Sequence, residues 1–197
     1  MTVIGITGGI GSGKSIVCKI ISLYGIPIYD ADTEAKRLND KSPVIKQKLI
    51  ERFGENIYVD NILDRKQLAN YIFNNKSDLE YVNNAIHTEL AIHFQEWVNK
   101  MNQYPILALD AAVLFESGFD KYVDMSITVV SPIELRIARV SKRDNASYNQ
   151  IKSRIDSQMT DEERTKLSDF VIINDEEHSL IMQTDKIIKN IENPLQN

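Results

Sequence analysis

Apolar residues along the chain form short continuous runs that alternate with longer segments in which they recur every three or four positions. The first run, Val3-Ile4-Gly5-Ile6, reads as a buried strand over residues 2–7. A glycine-rich stretch follows, and residues 14–24 then carry Ile16, Val17, Ile20, Ile21 and Leu23 at helical spacing, with Gly25 as a cap and Pro27 as a stop. A second strand over residues 26–29 ends in the acidic triplet Asp30-Ala31-Asp32. Residues 33–101 shift to long polar side chains with helical periodicity, broken at Ser42-Pro43, Gly54 and Asn74-Asn75, which predicts a mostly helical insertion. Further strands are expected at residues 106–110, 125–130 and 169–173. Ser131-Pro132 starts a helix after the fourth strand, and a closing helix covers about residues 176–191. Strands alternating with helices predict a parallel, five-stranded α/β sheet, with ligands at the carboxyl ends of its strands.

Composition narrows the setting. The chain has 197 residues, 43% hydrophobic and 26% charged, enough for one ordinary domain with an inserted part and too apolar for wholesale disorder. No segment has the length and apolarity of a membrane span, and no secretory leader is expected from the first residues. With Cys18 the only cysteine, an internal disulfide and a CxxC metal site are excluded, which suits a reducing, cytoplasmic setting. A net charge of -5 gives no global attraction to nucleic acid or to an anionic membrane, so neither is expected as a partner.

The chemistry begins with glycine. Of eight glycines, five fall in the first thirteen residues, and Gly8-Gly9-Ile10-Gly11-Ser12-Gly13-Lys14-Ser15 fits G-x-x-x-x-G-K-[ST] between a strand and a helix. Backbone amides of such a loop cradle nucleotide phosphates, Lys14 reaches the β/γ-phosphates and the Ser15 hydroxyl ligates Mg²⁺. Asp30, Asp32 and Asp110 each end a predicted strand on the same sheet edge. For Asp110 a metal role competes with a helix cap; of Asp30 and Asp32, one suits a catalytic base and the other a structural support. Arg136, Arg139 and Arg143 share a helical face, with Ile133, Ile137 and Val140 forming a separate apolar stripe, so the arginines are expected off the buried side. With Arg154 and Gln158 they suggest a basic lid over a nucleotide. His87 and His93, six apart, lack metal-ligand spacing; Ile92, Phe94 and Trp97 read as core, and Cys18 as a small buried side chain. Asn75-Lys76-Ser77-Asp78 matches the guanine-reading N-K-x-D pattern, but it follows a helical stretch and the chain has no D-x-x-G, so it is read as a helix-to-helix turn.

Taken in order, these residues resemble the dephospho-CoA kinase family over nearly the whole chain. Ile6 to Ser15 is similar to its phosphate loop and Asp30-Ala31-Asp32 to its D-A-D signature. Phe53-Gly54, Leu63-Asp64-Arg65, Ile72-Phe73 and His87 are similar to its insertion, Leu114-Phe115-Glu116 to its L-L-F-E, Arg139 with Arg143-Asp144 to R-x-x-x-R-D, Arg154-Ile155 with Gln158 to R-I-x-x-Q, and Asp169 with Asn174 to D-x-x-I-x-N. The chain departs from the pattern at Lys36, Thr88 and Ala112, where the family commonly has arginine, proline and proline.

The resemblance implies a P-loop NTPase-type sheet flanked by helices. It divides the chain into a nucleotide core (residues 1–36 and 104–197, with a helical lid at about 132–165) and a helical acceptor-binding insertion (37–103). The implied reaction is ATP- and Mg²⁺-dependent phosphorylation of the ribose 3′-hydroxyl of dephospho-CoA, a small-molecule substrate, with no obligate protein partner. Implied roles are Asp32 as general base and acceptor contact, Gly9, Ile10, Gly11, Ser12, Gly13, Lys14 and Ser15 at the ATP phosphates, and Arg139 and Arg143 toward ATP. Arg65 and His87 fall on the acceptor side and Ser15 at the metal; Asp110, from its place at a strand end, is expected beside the acceptor and the metal. The rivals are another small-molecule kinase on the same core, acting on a nucleotide or nucleoside, and an ATPase that needs no acceptor.

Overall fold

The computed structural model describes residues 1–73 and 75–193. Strands β1 (Thr2–Thr7), β2 (Ile28–Asp30), β5 (Ile106–Asp110), β6 (Met125–Val130) and β7 (Phe170–Ile173) form one sheet in the order β2-β5-β1-β6-β7. The pairings of β1 with β5 and β6, and of β6 with β7, are parallel. The central strands read as unbroken apolar runs because helices cover both faces of such a sheet. On one face Ile4, Ile6, Ile106, Ala108, Ile127, Val129 and Ile172 pack with Val17, Cys18 and Ile21 of α1 (Lys14–Ser22) and Ile187, Ile188 and Ile191 of α9 (Leu180–Glu192). Cys18 is buried there, as expected from its place in the helix. Register brings Asp110 level with Ile6, so the carboxylate at the end of β5 stands beside the point where β1 turns into the glycine loop.

The chain divides into two compact units, Met1–Ile28 with Asn102–Asn197, and Tyr29–Met101. The first unit also holds α6 (Ile133–Asp144), α7 (Tyr148–Asp156) and α8 (Asp161–Leu167), the last two opened by reciprocal capping boxes at Ser147/Gln150 and Thr160/Glu163.

The second unit contains α2 (Ala31–Lys41), α3 (Pro43–Phe53), α4 (Arg65–Ile72) and α5 (Lys76–Lys100). Ser42 caps α3 with Pro43 in its first turn, and Asp64 and Asn75 cap α4 and α5. The N-K-x-D tetrad, expected as a helix-to-helix turn, is the N-cap and first turn of α5; Asn74 of the predicted break lies outside the described residues. The insertion is not helical throughout: β3 (Tyr58–Val59) and β4 (Ile62–Leu63) pair antiparallel around Asp60 and Asn61, whose φ values of 50 and 65° make the tight turn that a two-residue hairpin requires. Phe94 is fully buried, packing against Tyr29 and Trp97 at centroid distances of 5.0 and 6.1 Å, whereas Ile92, expected in the core, is exposed. Among the described residues no helix is long and apolar enough to cross a membrane.

Candidate active site

The glycine loop is held from outside by side chains that take its carbonyl groups. Arg136 Nε donates to the Ile10 carbonyl (2.9 Å), Arg139 Nη1 to that of Gly11 (3.4 Å) and Asn174 Nδ2 to that of Ser12 (2.7 Å). In a trans peptide plane the N–H points opposite to the C=O, so holding the carbonyls of Ile10 and Ser12 from one side leaves the amides of Gly11 and Gly13 to the other, where they can serve an anion, while the Ser12 amide is bonded within the loop to the Gly9 carbonyl (3.0 Å). Gly11 and Gly13 have φ of 79 and 97°, and a Cβ on Gly13 would lie 2.0 Å from Asn174 Nδ2, so conformation and space both demand glycine. The N-terminus of α1 adds its positive end. The Ser12 hydroxyl is buried with no hydrogen-bond partner among the described residues, and a phosphate oxygen would satisfy it.

Lys14 and Asp110 form an ion pair, each side chain 13% exposed. Asp110 caps no helix: the segment after it is a run of turns, which removes the competing structural reading. Ser15 is exposed in the first turn of α1.

The arginine face divides. Arg136, expected off the buried side, is only 5% exposed and more buried than Ile133 of the apolar stripe; besides Ile10 it holds Asp161 Oδ2 at 2.9 Å. Partners distant in sequence outweigh the helical pattern here. Arg139 is half-buried and also donates to Ser131 Oγ at 2.9 Å, with the Asn174 carbonyl and Glu176 at 3.4 to 3.5 Å. Arg143 is exposed and grips Asp144, which Arg154 also holds, and the hydrogen bond from Arg143 lowers the Asp144 carboxyl below its usual range. Gln158 Oε1 accepts from the Ile10 N–H at 2.9 Å, so Ile10 is held at both its amide and its carbonyl.

Sequence reasoning passed over Arg164, which is fully buried between Glu116 (2.9 Å) and Asp161 (3.3 Å). Its signals were the i, i+3 spacing to Asp161 and the Glu116 of the L-F-E segment, neither of which marks burial.

In the second unit Asp30 is the N-cap of α2, accepting from the Thr33 amide (3.0 Å) and hydroxyl (2.6 Å). Asp32 lies exposed in the first turn of α2. Arg65 Nη2 donates to Asp40 Oδ2 (2.9 Å) and to the Lys36 carbonyl (3.1 Å). His87 sits half-buried in α5, which runs unbroken through Thr88, and burial lowers its imidazole below the usual value. His93 has both nitrogens engaged: Arg37 donates to Nε2 (2.7 Å), so Nδ1 carries the proton toward the Tyr29 hydroxyl (2.7 Å).

A phosphate loop with its lysine beside a strand-end carboxylate fits nucleotide-dependent phosphoryl transfer, and comparison with known proteins narrows it. The family model for dephospho-CoA kinase matches residues 2–179. The curated dephospho-CoA kinase of Bacteroides fragilis is 42% identical over 185 residues, covering 94% of this chain and 90% of the relative. That of Porphyromonas gingivalis is 40% identical over 192 residues, covering 97% and 95%. The solved dephospho-CoA kinase from Campylobacter jejuni superposes with a TM-score of 0.72 at 27% identity, covering 98% of each chain. Shikimate kinase from Acinetobacter baumannii shares the fold alone, at 14% identity and a TM-score of 0.56 over 100% of this chain and 96% of its own. With the loop, the order of motifs and the matched length in agreement, this chain belongs to the dephospho-CoA kinase family.

Proposed function

We propose that the protein transfers the γ-phosphoryl group of ATP to the ribose 3′-hydroxyl of dephospho-CoA, giving coenzyme A and ADP, the last step of coenzyme A synthesis. ATP use follows from membership of a kinase family with this fold. Residues 9–15 cradle the phosphates, and Lys14 exchanges Asp110 for phosphate oxygens. Arg139 and Arg143 serve the nucleotide as parts of a lid over residues 132–165. Arg65 and His87 serve the acceptor, along with Asp110. Asp32 takes the hydroxyl proton as the new O–P bond forms and the bond from the γ-phosphorus to the leaving ADP oxygen breaks. Among the described residues no group of three or more histidine, cysteine or acidic side chains could hold a metal. The Ser15 hydroxyl and the Asp110 carboxylate are hard oxygen donors, which suits Mg²⁺, an ion that keeps waters and takes substrate phosphates as ligands. The ion would neutralise phosphate charge. A cytoplasmic setting completes the reading, supported by a chain with a single cysteine.

The observation that carries the proposal is the phosphate loop, with Lys14 paired to Asp110, in a chain 42% identical to a curated dephospho-CoA kinase. The test is ADP release from ATP and Mg²⁺ with dephospho-CoA, AMP, a nucleoside or water alone, and mass spectrometry of the product. A large rate with dephospho-CoA alone, yielding coenzyme A, is expected. Equal turnover with another acceptor would transfer the reading to that substrate, and an equal rate in water would make the protein an ATPase.

A further inference from the structure

Behind the glycine loop lies a chain of four alternating charges within the first unit. Arg136 Nη1 meets Asp161 Oδ2 at 2.9 Å, Asp161 Oδ1 accepts from Arg164 Nη1 at 3.3 Å, and Arg164 Nη2 meets Glu116 Oε1 at 2.9 Å. Glu116 Oε1 also accepts from the Met159 amide at 3.4 Å, which ties the network to the segment leading into α8. The two arginines are 5% and 0% exposed, so the network is formally neutral but largely out of water, where each cation depends on its carboxylate.

One end of this chain touches the loop itself. Besides its bond to the Ile10 carbonyl, the Arg136 guanidinium lies so close to Gly9 that a Cβ there would come within 2.2 Å of Nη2. Asp161 is shared by both guanidinium groups. Removing its charge leaves two buried cations facing one another, and Arg164, enclosed on every side and bonded to Glu116, is the one that stays. Arg136 is then the cation left without its carboxylate, and it is the one that touches Gly9 and Ile10.

We propose that Asp161 and Arg164 are positioning residues of the phosphate loop: through Arg136 they fix Gly9 and Ile10 in the conformation that receives the nucleotide phosphates. The inference rests on the phosphate-loop reading above and is independent of the identity of the acceptor. Asp161 opens α8 and Arg164 is part of the same helix, so a helix remote in sequence sets the shape of a loop at the start of the chain.

The test is a double-mutant cycle on Asp161→Asn and Arg136→Met, reading the Kd of ADP by direct titration together with KM for ATP, KM for dephospho-CoA and kcat. Each single substitution is expected to raise the ADP Kd and the ATP KM about tenfold, as loss of a supporting residue behind a binding group does, while the dephospho-CoA KM moves by less than about twofold. Because Asp161 acts through Arg136, the double variant should be no worse than Arg136→Met alone. Multiplying effects would overturn the proposal, as would an unchanged ADP Kd in Asp161→Asn or a parallel change in both KM values that tracks lowered thermal stability. If either variant fails to fold, Glu116→Gln, acting through Arg164 on the same carboxylate, carries the same expectation in the same direction, and an unchanged ADP Kd there counts equally against it. Failure of the unsubstituted protein to bind ADP would instead overturn the phosphate-loop reading itself.

Discussion

Asp30 and Asp32 stand two positions apart, and the point at which α2 begins gives them different surroundings. Asp30 precedes the first helical residue and satisfies the Thr33 amide with its side chain, whereas Asp32, inside the first turn, is exposed. Asp30→Ala therefore loses an N-cap, costing about 1 kcal/mol and a few degrees in Tm. Asp32→Asn removes the proposed proton acceptor, so kcat should fall by roughly two to four orders of magnitude, with ATP affinity little changed. Thermal melts and steady-state kinetics on the two variants check this, and full turnover in Asp32→Asn would remove it as the base. The sequence showed both carboxylates but could not assign them, because a cap is defined by a helix boundary to the residue and periodicity locates boundaries only to within a few positions. A different limit hid the burial of Arg136 and Arg164. Their partners Ile10 and Glu116 lie 126 and 48 positions away, so no local pattern carries the information.

At the scale of elements, the strands, the glycine loop and the helices of the sheet were legible because each has a strong period or a strong breaker at its end. The β3–β4 hairpin was not. Its strands are two residues long, too short to show alternation, and its only signal was Asp60-Asn61 between the apolar pairs Tyr58-Val59 and Ile62-Leu63. Both turn residues have positive φ, which asparagine and aspartate tolerate and β-branched residues resist. Asn61→Val should cost about 1–2 kcal/mol in urea unfolding, since valine in a left-handed conformation brings its Cβ against the following carbonyl. Asn61→Gly should stay within about 0.5 kcal/mol of the parent, trading the Lys46 hydrogen bond to Asn61 Oδ1, which is exposed, for conformational ease. Equal stability of the valine and glycine variants would show that the turn is not built on these dihedrals.

At the scale of the whole molecule, the two units carry different titrations, and acid should therefore weaken them in a fixed order. In the second unit burial lowers His87 below the usual imidazole value. Between that lowered value and about 6.5 the unfolded chain binds a proton that the folded unit does not, so stability falls as pH drops through this window and levels off below it. In the first unit the depressed groups are carboxylates. Asp175 is held down to about 2, first by the His178 amide, and Asp185, Asp144 and Glu163 are lowered by Lys189, Arg143 and Thr160. Their contributions are complete above the ordinary carboxylate range of about 4 and vanish as pH falls through the lowered values. The single tryptophan, Trp97, belongs to the second unit, packed against Tyr29 and Phe94, so its fluorescence reports that unit while far-UV circular dichroism reports the whole chain. The expected result is a Trp97 melting midpoint that declines first, from about pH 6.5 downward, and a further loss of helical signal stability below about pH 4. His87→Gln should flatten the first decline and leave the second in place, because it removes the half-buried imidazole that burial holds below its usual value and touches none of the depressed carboxylates. A first decline that survives this substitution would mean that the acid sensitivity of the second unit comes from a group other than His87.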